Sequence, residues 1–239
     1  MFRENNFKTI KDVSVALWLK ECLEKPWSRG DGCNYAASVI PKGYEAYARI
    51  FHPAYLPDEN REITWTELAR YFTRKPHSQM QWHRIVGSGS PLFNGLKITE
   101  PAQGHLPREK AGELVKVLRK YTGTPDDCLF AVWNGWGGSE AEKRWPEAAV
   151  LQLPDREYVL LGGPIEAAAI SVLPFCEQSA SLWWPRDRAW CVATDIDLMW
   201  TYVGGTTGCI DEVLKIVCLE VYPAKIDDRV DINGDIINS

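Results

Sequence analysis

The sequence predicts an α+β fold, a mixed and largely antiparallel sheet packed with several helices. Three observations lead there. Strand-like and helix-like stretches do not alternate strictly, so the chain lacks the rhythm of a doubly wound sheet. Two short, continuous apolar runs, Cys128–Trp133 and Ala189–Ile196, have the length of buried strands. One clean helical face, Ala111, Leu114, Val115, Leu118 and Tyr121 behind Pro107, marks a well-formed helix.

Taken in order, Asp12 is placed to cap a helix running to about Glu24, which Pro26 stops. A turn-rich connector follows over 27–34. From Tyr35 to Phe51 alternation predicts two strand pieces, broken at Pro41-Lys42-Gly43, and His52-Pro53 ends the second. Thr64-Trp65-Thr66-Glu67 and Ser78-Gln79-Met80-Gln81 read as capping boxes that open short helices to Phe72 and Val86. The strand from Cys128 ends near Gly135-Trp136-Gly137-Gly138, and Tyr158–Leu161 is another strand. Ile165–Leu173 leans to a short helix, and 179–188 is expected to be an aromatic loop. The run Ala189–Ile196 is expected to be central in its sheet, with Tyr202-Val203 continuing it. Thr206 then caps a helix marked by Ile210, Val213, Leu214 and Val217, and Leu219–Tyr222 is a last strand. The tail 227–239 is polar and expected to be frayed or edge-lying. The whole of 1–239 is expected to form one domain, the candidate division being near 101–106.

The 239 residues carry a formal charge of −5, which argues against a nucleic-acid duplex as partner, since phosphate binding needs clustered Lys and Arg. No apolar run approaches the length of a membrane span. The seven cysteines are odd in number and irregularly spaced, with no leader-like segment before them. Reduced thiols in a cytoplasm are therefore expected. Trp is the unusual entry in the composition, at 11 residues. Such side chains collect in cores with polar edges, in interfaces and in ligand clefts.

No phosphate loop, dinucleotide fingerprint, Gly-x-Ser-x-Gly elbow or Cys-x-x-Cys pair occurs. The four histidines are scattered, so no metal site is expected, and His52, at a strand end, is the one with a candidate role. Asp231-Ile232-Asn233-Gly234-Asp235 is oxygen-rich but lacks the length and closing Glu of a calcium loop, and no cofactor is expected. Asp195 and Asp197 close the strand beginning at Trp190. In extended chain they share a face and could serve acid–base work, a cation or a basic partner. The competing reading is a strand end whose Asp caps the turn. Trp183, Trp184 and Arg186 precede this strand, Trp200 and Tyr202 follow it, and Trp133 and Trp136 flank another strand's end. Brought together, they would form an indole-lined cleft with acidic and basic groups at its rim. Otherwise the tryptophans are core.

The segment Trp190-Cys191-Val192-Ala193-Thr194-Asp195-Ile196-Asp197, with Thr201-Tyr202-Val203-Gly204-Gly205 after it, resembles a family of uncharacterised bacterial cytoplasmic proteins. Residues 41–53 and Ser181-Leu182-Trp183-Trp184-Pro185 resemble the same family. The resemblance implies a bacterial, cytoplasmic protein and brings no activity, cofactor or partner. The expected function is a non-enzymatic, protein-binding module of immunity or regulatory type. The alternative is a hydrolase or a small-ligand or carbohydrate binder using a Trp-lined cleft of Trp183, Trp184, Asp195 and Asp197, with His52 as a further candidate. A purely structural domain is a third reading. Oligomeric state is not readable from the sequence.

Overall fold

The computed structural model describes residues 7–135, 140–172 and 178–239. Its strands are β1 (Lys8–Thr9), β2 (Ala46–Phe51), β3 (Ala54–Leu56), β4 (Arg61–Ile63), β5 (Leu92–Phe93), β6 (Leu96–Lys97), β7 (Cys128–Trp133), β8 (Val150–Leu153), β9 (Arg156–Gly163), β10 (Leu182–Pro185), β11 (Cys191–Ala193), β12 (Trp200–Gly205) and β13 (Glu220–Ala224). Its α-helices are α1 (Trp18–Cys22), α2 (Trp65–Tyr71), α3 (Trp82–Val86), α4 (Arg108–Leu118), α5 (Glu140–Arg144) and α6 (Thr207–Val213). The fold is α+β. Nine strands form one sheet in the order β1-β9-β7-β10-β11-β12-β2-β13, with β8 also on β9. Every pairing described in it is antiparallel.

The sheet is covered on both faces. One face presents Leu129, Ala131, Leu160, Trp184, Cys191 and Tyr202 to α1, α2, α3 and the crossing segments of the chain. The other presents Phe130, Val132, Val159, Trp183, Val192 and Val203 to α4 and α6. Residues of both parities must therefore be apolar, which explains why β7 and β11 read as continuous runs instead of alternating ones. Burying both faces removes a large apolar area from water, at about 25 cal/mol per Å².

Several elements differ from expectation for physical reasons. The first helix is two pieces, a 3-10 turn Val13–Ala16 capped by Asp12 and then α1. Residues Ala36–Ser38 form a 3-10 turn, and of the expected strand only a Tyr35 bridge to Arg229 exists. The helix after Ser78 begins later, with Gln81 as N-cap of α3. The expected aromatic loop contains β10, which pairs with both β7 and β11. Strand β8 was not expected at all. Helix α6 ends at Val213, and Val217, expected on its buried face, is fully exposed. Thr64 and Thr206 do cap α2 and α6, as expected, accepting from the Glu67 and Cys209 amides.

Of the two readings of the tail, frayed or edge-lying, the first does not hold: polar groups tie it down, and Arg229 bridges to Tyr35. Asp235 is buried and its carboxylate accepts from His77 Nε2 at 2.9 Å and from the Gln81 and Asn238 amides. Asn238 in turn bonds Lys75 through the amide and carbonyl of its backbone. Asp231 holds the Asn34 and Asn233 amides and pairs with Arg229 at 2.6 Å. The carboxylates of the oxygen-rich run are thus occupied by the chain's own donors. Among the described residues, no helix is long and apolar enough to cross a membrane. Cys22, Cys33, Cys128, Cys191, Cys209 and Cys218 are free thiols.

Candidate functional site

A cleft of about 270 Å³ opens where β9, β10 and β11 end beneath two crossing segments of chain. Its floor is the sheet: Tyr158, Leu182 and Ala193 point to the same face. One wall is the tight β8–β9 turn, Pro154-Asp155, where Asp155 takes a φ of 62°. The opposite wall is the segment after α1, with Glu24, Pro26, Trp27 and Val39, and tail residues Val230 and Asp231 close one side.

Asp195 and Asp197 line this cleft, but not as neighbours on one strand face, because β11 stops at Ala193. They meet through a turn in which Asp195 Oδ1 accepts the Asp197 amide at 3.0 Å and the Asp195 carbonyl accepts the Leu198 amide. One guanidinium nitrogen, Arg156 Nη2, then binds both carboxylates, at 2.7 Å to Asp197 and 3.4 Å to Asp195. The carboxylates hold the Arg156 pKa above its ordinary value despite burial. Asp197 remains 70% exposed, so its bond to Arg156 is screened by water and readily exchanged.

Two polar atoms at the cleft lack partners among the described residues: Arg156 Nε and Ser181 Oγ. Ser181 is only 2% exposed. A buried hydroxyl without a partner costs about 1–3 kcal/mol, which a bound group could relieve. Beside it, Thr194 is fully engaged. Its hydroxyl lies 2.7 Å from Thr201 Oγ1, which lies 2.8 Å from His52 Nε2. His52 Nδ1 is 2.6 Å from the Ala102 carbonyl, an acceptor only, so Nδ1 carries the proton and Nε2 accepts from Thr201. Burial pushes the His52 pKa down to about 3. This neutral histidine pins the cleft wall from behind and does not reach its surface.

Trp27 stands at the rim, and sequence reasoning had left it in a connector. It is 55% exposed, more than any other described tryptophan, and takes a φ of 61°. A bulky residue in the left-handed region is costly and is found where the surroundings impose it. Arg156, Tyr158, Ser181, Thr194 and Asp155 were also missed. Only the Pro-Asp pair at 154–155, a turn signal, hinted at this wall.

The other expected site residues lie elsewhere. Trp183 and Trp184 are sealed on opposite faces of the sheet, Trp183 edge-on to Trp190 at 5.3 Å and Trp184 edge-on to Trp18 at 5.9 Å. Trp200 is buried under the Arg49 guanidinium, 3.8 Å from its ring centre, and Tyr202 lies directly across from Arg49 in the sheet. Arg186 follows the far end of β10 and pairs with Asp127 at 3.0 Å. Trp133 ends β7 opposite Tyr158, half-buried, and Trp136 lies outside the described residues. The structure thus gathers the two carboxylates with Trp27, not with the indoles near them in sequence.

Compared with protein-family models, with curated proteins and with solved structures, the chain matches none.

Proposed function

We propose that the protein is a non-enzymatic recognition module that binds another protein by seating one basic side chain of that partner in the cleft. The observation that carries this reading is the charge around the opening. Glu24 is matched by Arg29 and Asp231 by Arg229, whereas Asp195 and Asp197 share Arg156 and the Asp155 carboxylate has no ion pair among the described residues. An exposed indole stands beside this acidic excess, the pairing of aromatic anchor and complementary charge that interfaces use. The volume suits a single side chain better than a drug-sized molecule, whose pockets begin near 300 Å³. Free thiols fit a reducing bacterial cytoplasm as the setting. Catalysis has less support, since the nearest histidine is buried and held neutral.

One observation favours a second reading. Arg156 Nε and Ser181 Oγ are both unfilled, and a small hydroxylated ligand such as a sugar would satisfy them while stacking on Trp27. Affinity capture from the source cell separates the readings. The wild type is expected to retain one stoichiometric protein that Trp27→Ala and Asp155→Asn/Asp197→Asn release, while the surface control Val217→Asp keeps it. Capture indifferent to the cleft variants would remove the first reading. Saturable binding of a monosaccharide would put the second in its place.

A further inference from the structure

We propose that the side chain the cleft accepts is an arginine, its planar guanidinium lying between the Trp27 indole and the Asp155, Asp195 and Asp197 carboxylates, with an N–H reaching Ser181 Oγ. This rests on the recognition reading above and names the chemistry of the partner group.

The first argument is the count of acceptors. Arg156 and the turn amide use Asp195 Oδ1 and Asp197 Oδ2. That leaves one oxygen on each of these carboxylates, both oxygens of Asp155 and the Ser181 hydroxyl without a described bond. An ammonium has three donors in a compact cone, whereas a guanidinium has five in a planar fork that can address acceptors on several sides. The second argument is the indole. Guanidinium stacks flat on an aromatic face and is weakly hydrated, so it is desolvated at lower cost than an ammonium. Arg-over-aromatic contacts recur among the described residues, and in two of them, Arg49 on Trp200 and Arg29 on Tyr35, the guanidinium carbon lies within 4 Å of the ring centre.

The third argument is Ser181. The residue is buried and lines the cleft, and its hydroxyl has no partner among the described residues, although its backbone amide and carbonyl are bonded to Ala131 and Thr194. Nothing in the fold needs that hydroxyl, whereas an entering N–H does. The charge also closes. Three carboxylates against one guanidinium leave two unbalanced negative charges, enough to admit a second guanidinium without repulsion from Arg156 dominating.

The test titrates the full chain at low ionic strength with N-acetyl-arginine amide and N-acetyl-lysine amide, followed by calorimetry and by iodide quenching of Trp27. The arginine probe is expected to bind saturably, at least tenfold tighter than the lysine probe, and to protect Trp27 from iodide. Asp197→Asn is expected to weaken it about fivefold. Ser181→Ala should weaken it similarly with a melting temperature unchanged or raised, because no internal bond is lost. Equal binding of the two probes, or an affinity indifferent to Ser181→Ala, overturns the arginine assignment and leaves the recognition reading standing. Binding of neither probe, with wild-type capture also indifferent to Trp27→Ala, overturns both.

Discussion

At the scale of single residues, the molecule separates groups that work on the surface from groups that only look as if they should. His52 ends β2, where a site residue is often found, yet it is packed beneath Ala102 and spent on a hydroxyl chain. Its depressed pKa fixes a sign. Below about pH 6.5 the unfolded chain takes up a proton that folded His52 refuses until about pH 3. Its contribution is present above pH 6.5 and is lost as the pH falls through that window. His52→Gln is therefore expected to be less stable than the wild type at pH 7.5. Its stability should also fall less steeply with acid, by about 1.4 kcal/mol per pH unit between pH 6 and 4. Urea titrations at several pH values measure both slopes, and parallel slopes would refute this account of His52. The burial of His52 was not legible, because the covering carbonyl comes from fifty residues away. The carboxylates Asp195 and Asp197 were legible as a pair. Their partner Arg156 and the rim indole of Trp27 were not, since no local spacing links three segments so far apart in the chain.

At the scale of elements, local chemistry placed the starts of α2 and α6 and several strands, and missed β8, β10 and the start of α3. Thr64 opens α2 as its sequence suggests. The same helix start also leans on Glu220 of β13, whose carboxylate accepts the Trp65 and Thr66 amides at 2.6 and 2.7 Å. That bond crosses more than 150 residues and leaves no trace in local sequence. Glu220→Ala leaves two amides without their acceptor and is expected to cost about 1–3 kcal/mol, read from a lowered urea midpoint with an unchanged slope. A midpoint equal to the wild type would mean that water replaces the carboxylate. Strand β10 was read as loop because Leu182-Trp183-Trp184-Pro185 has no alternation to show. Trp183 and Trp184 face opposite cores, and each core is lined by apolar side chains.

At the scale of the whole molecule, a sheet covered on both sides is completed by a tail held through polar bonds. The tail reads as frayed or edge-lying because it is polar; Ile232, Ile236 and Ile237 are exposed and only Val230 among its apolar residues enters the core. What holds it are acids that meet donors contributed by residues 34 and 75–81. Asp235→Ala should remove the buried carboxylate that gathers His77, Gln81 and Asn238, at a cost of roughly 3 kcal/mol. Limited proteolysis is expected to cleave the variant's C-terminal segment at a concentration of protease that leaves the wild type intact. Resistance equal to the wild type would show that Asp231 suffices to hold it. The margins of the sheet carry one more consequence. One outer strand, β13, contains Pro223, which has no amide hydrogen to offer, and at the other margin β1 is only two residues long. Neither of these two strands offers a long unbroken row of amides to a second molecule's backbone, and the longer strand beside β1 on β9 is the four-residue β8. At these two strands, crowding many copies together therefore favours side-chain contacts over strand addition.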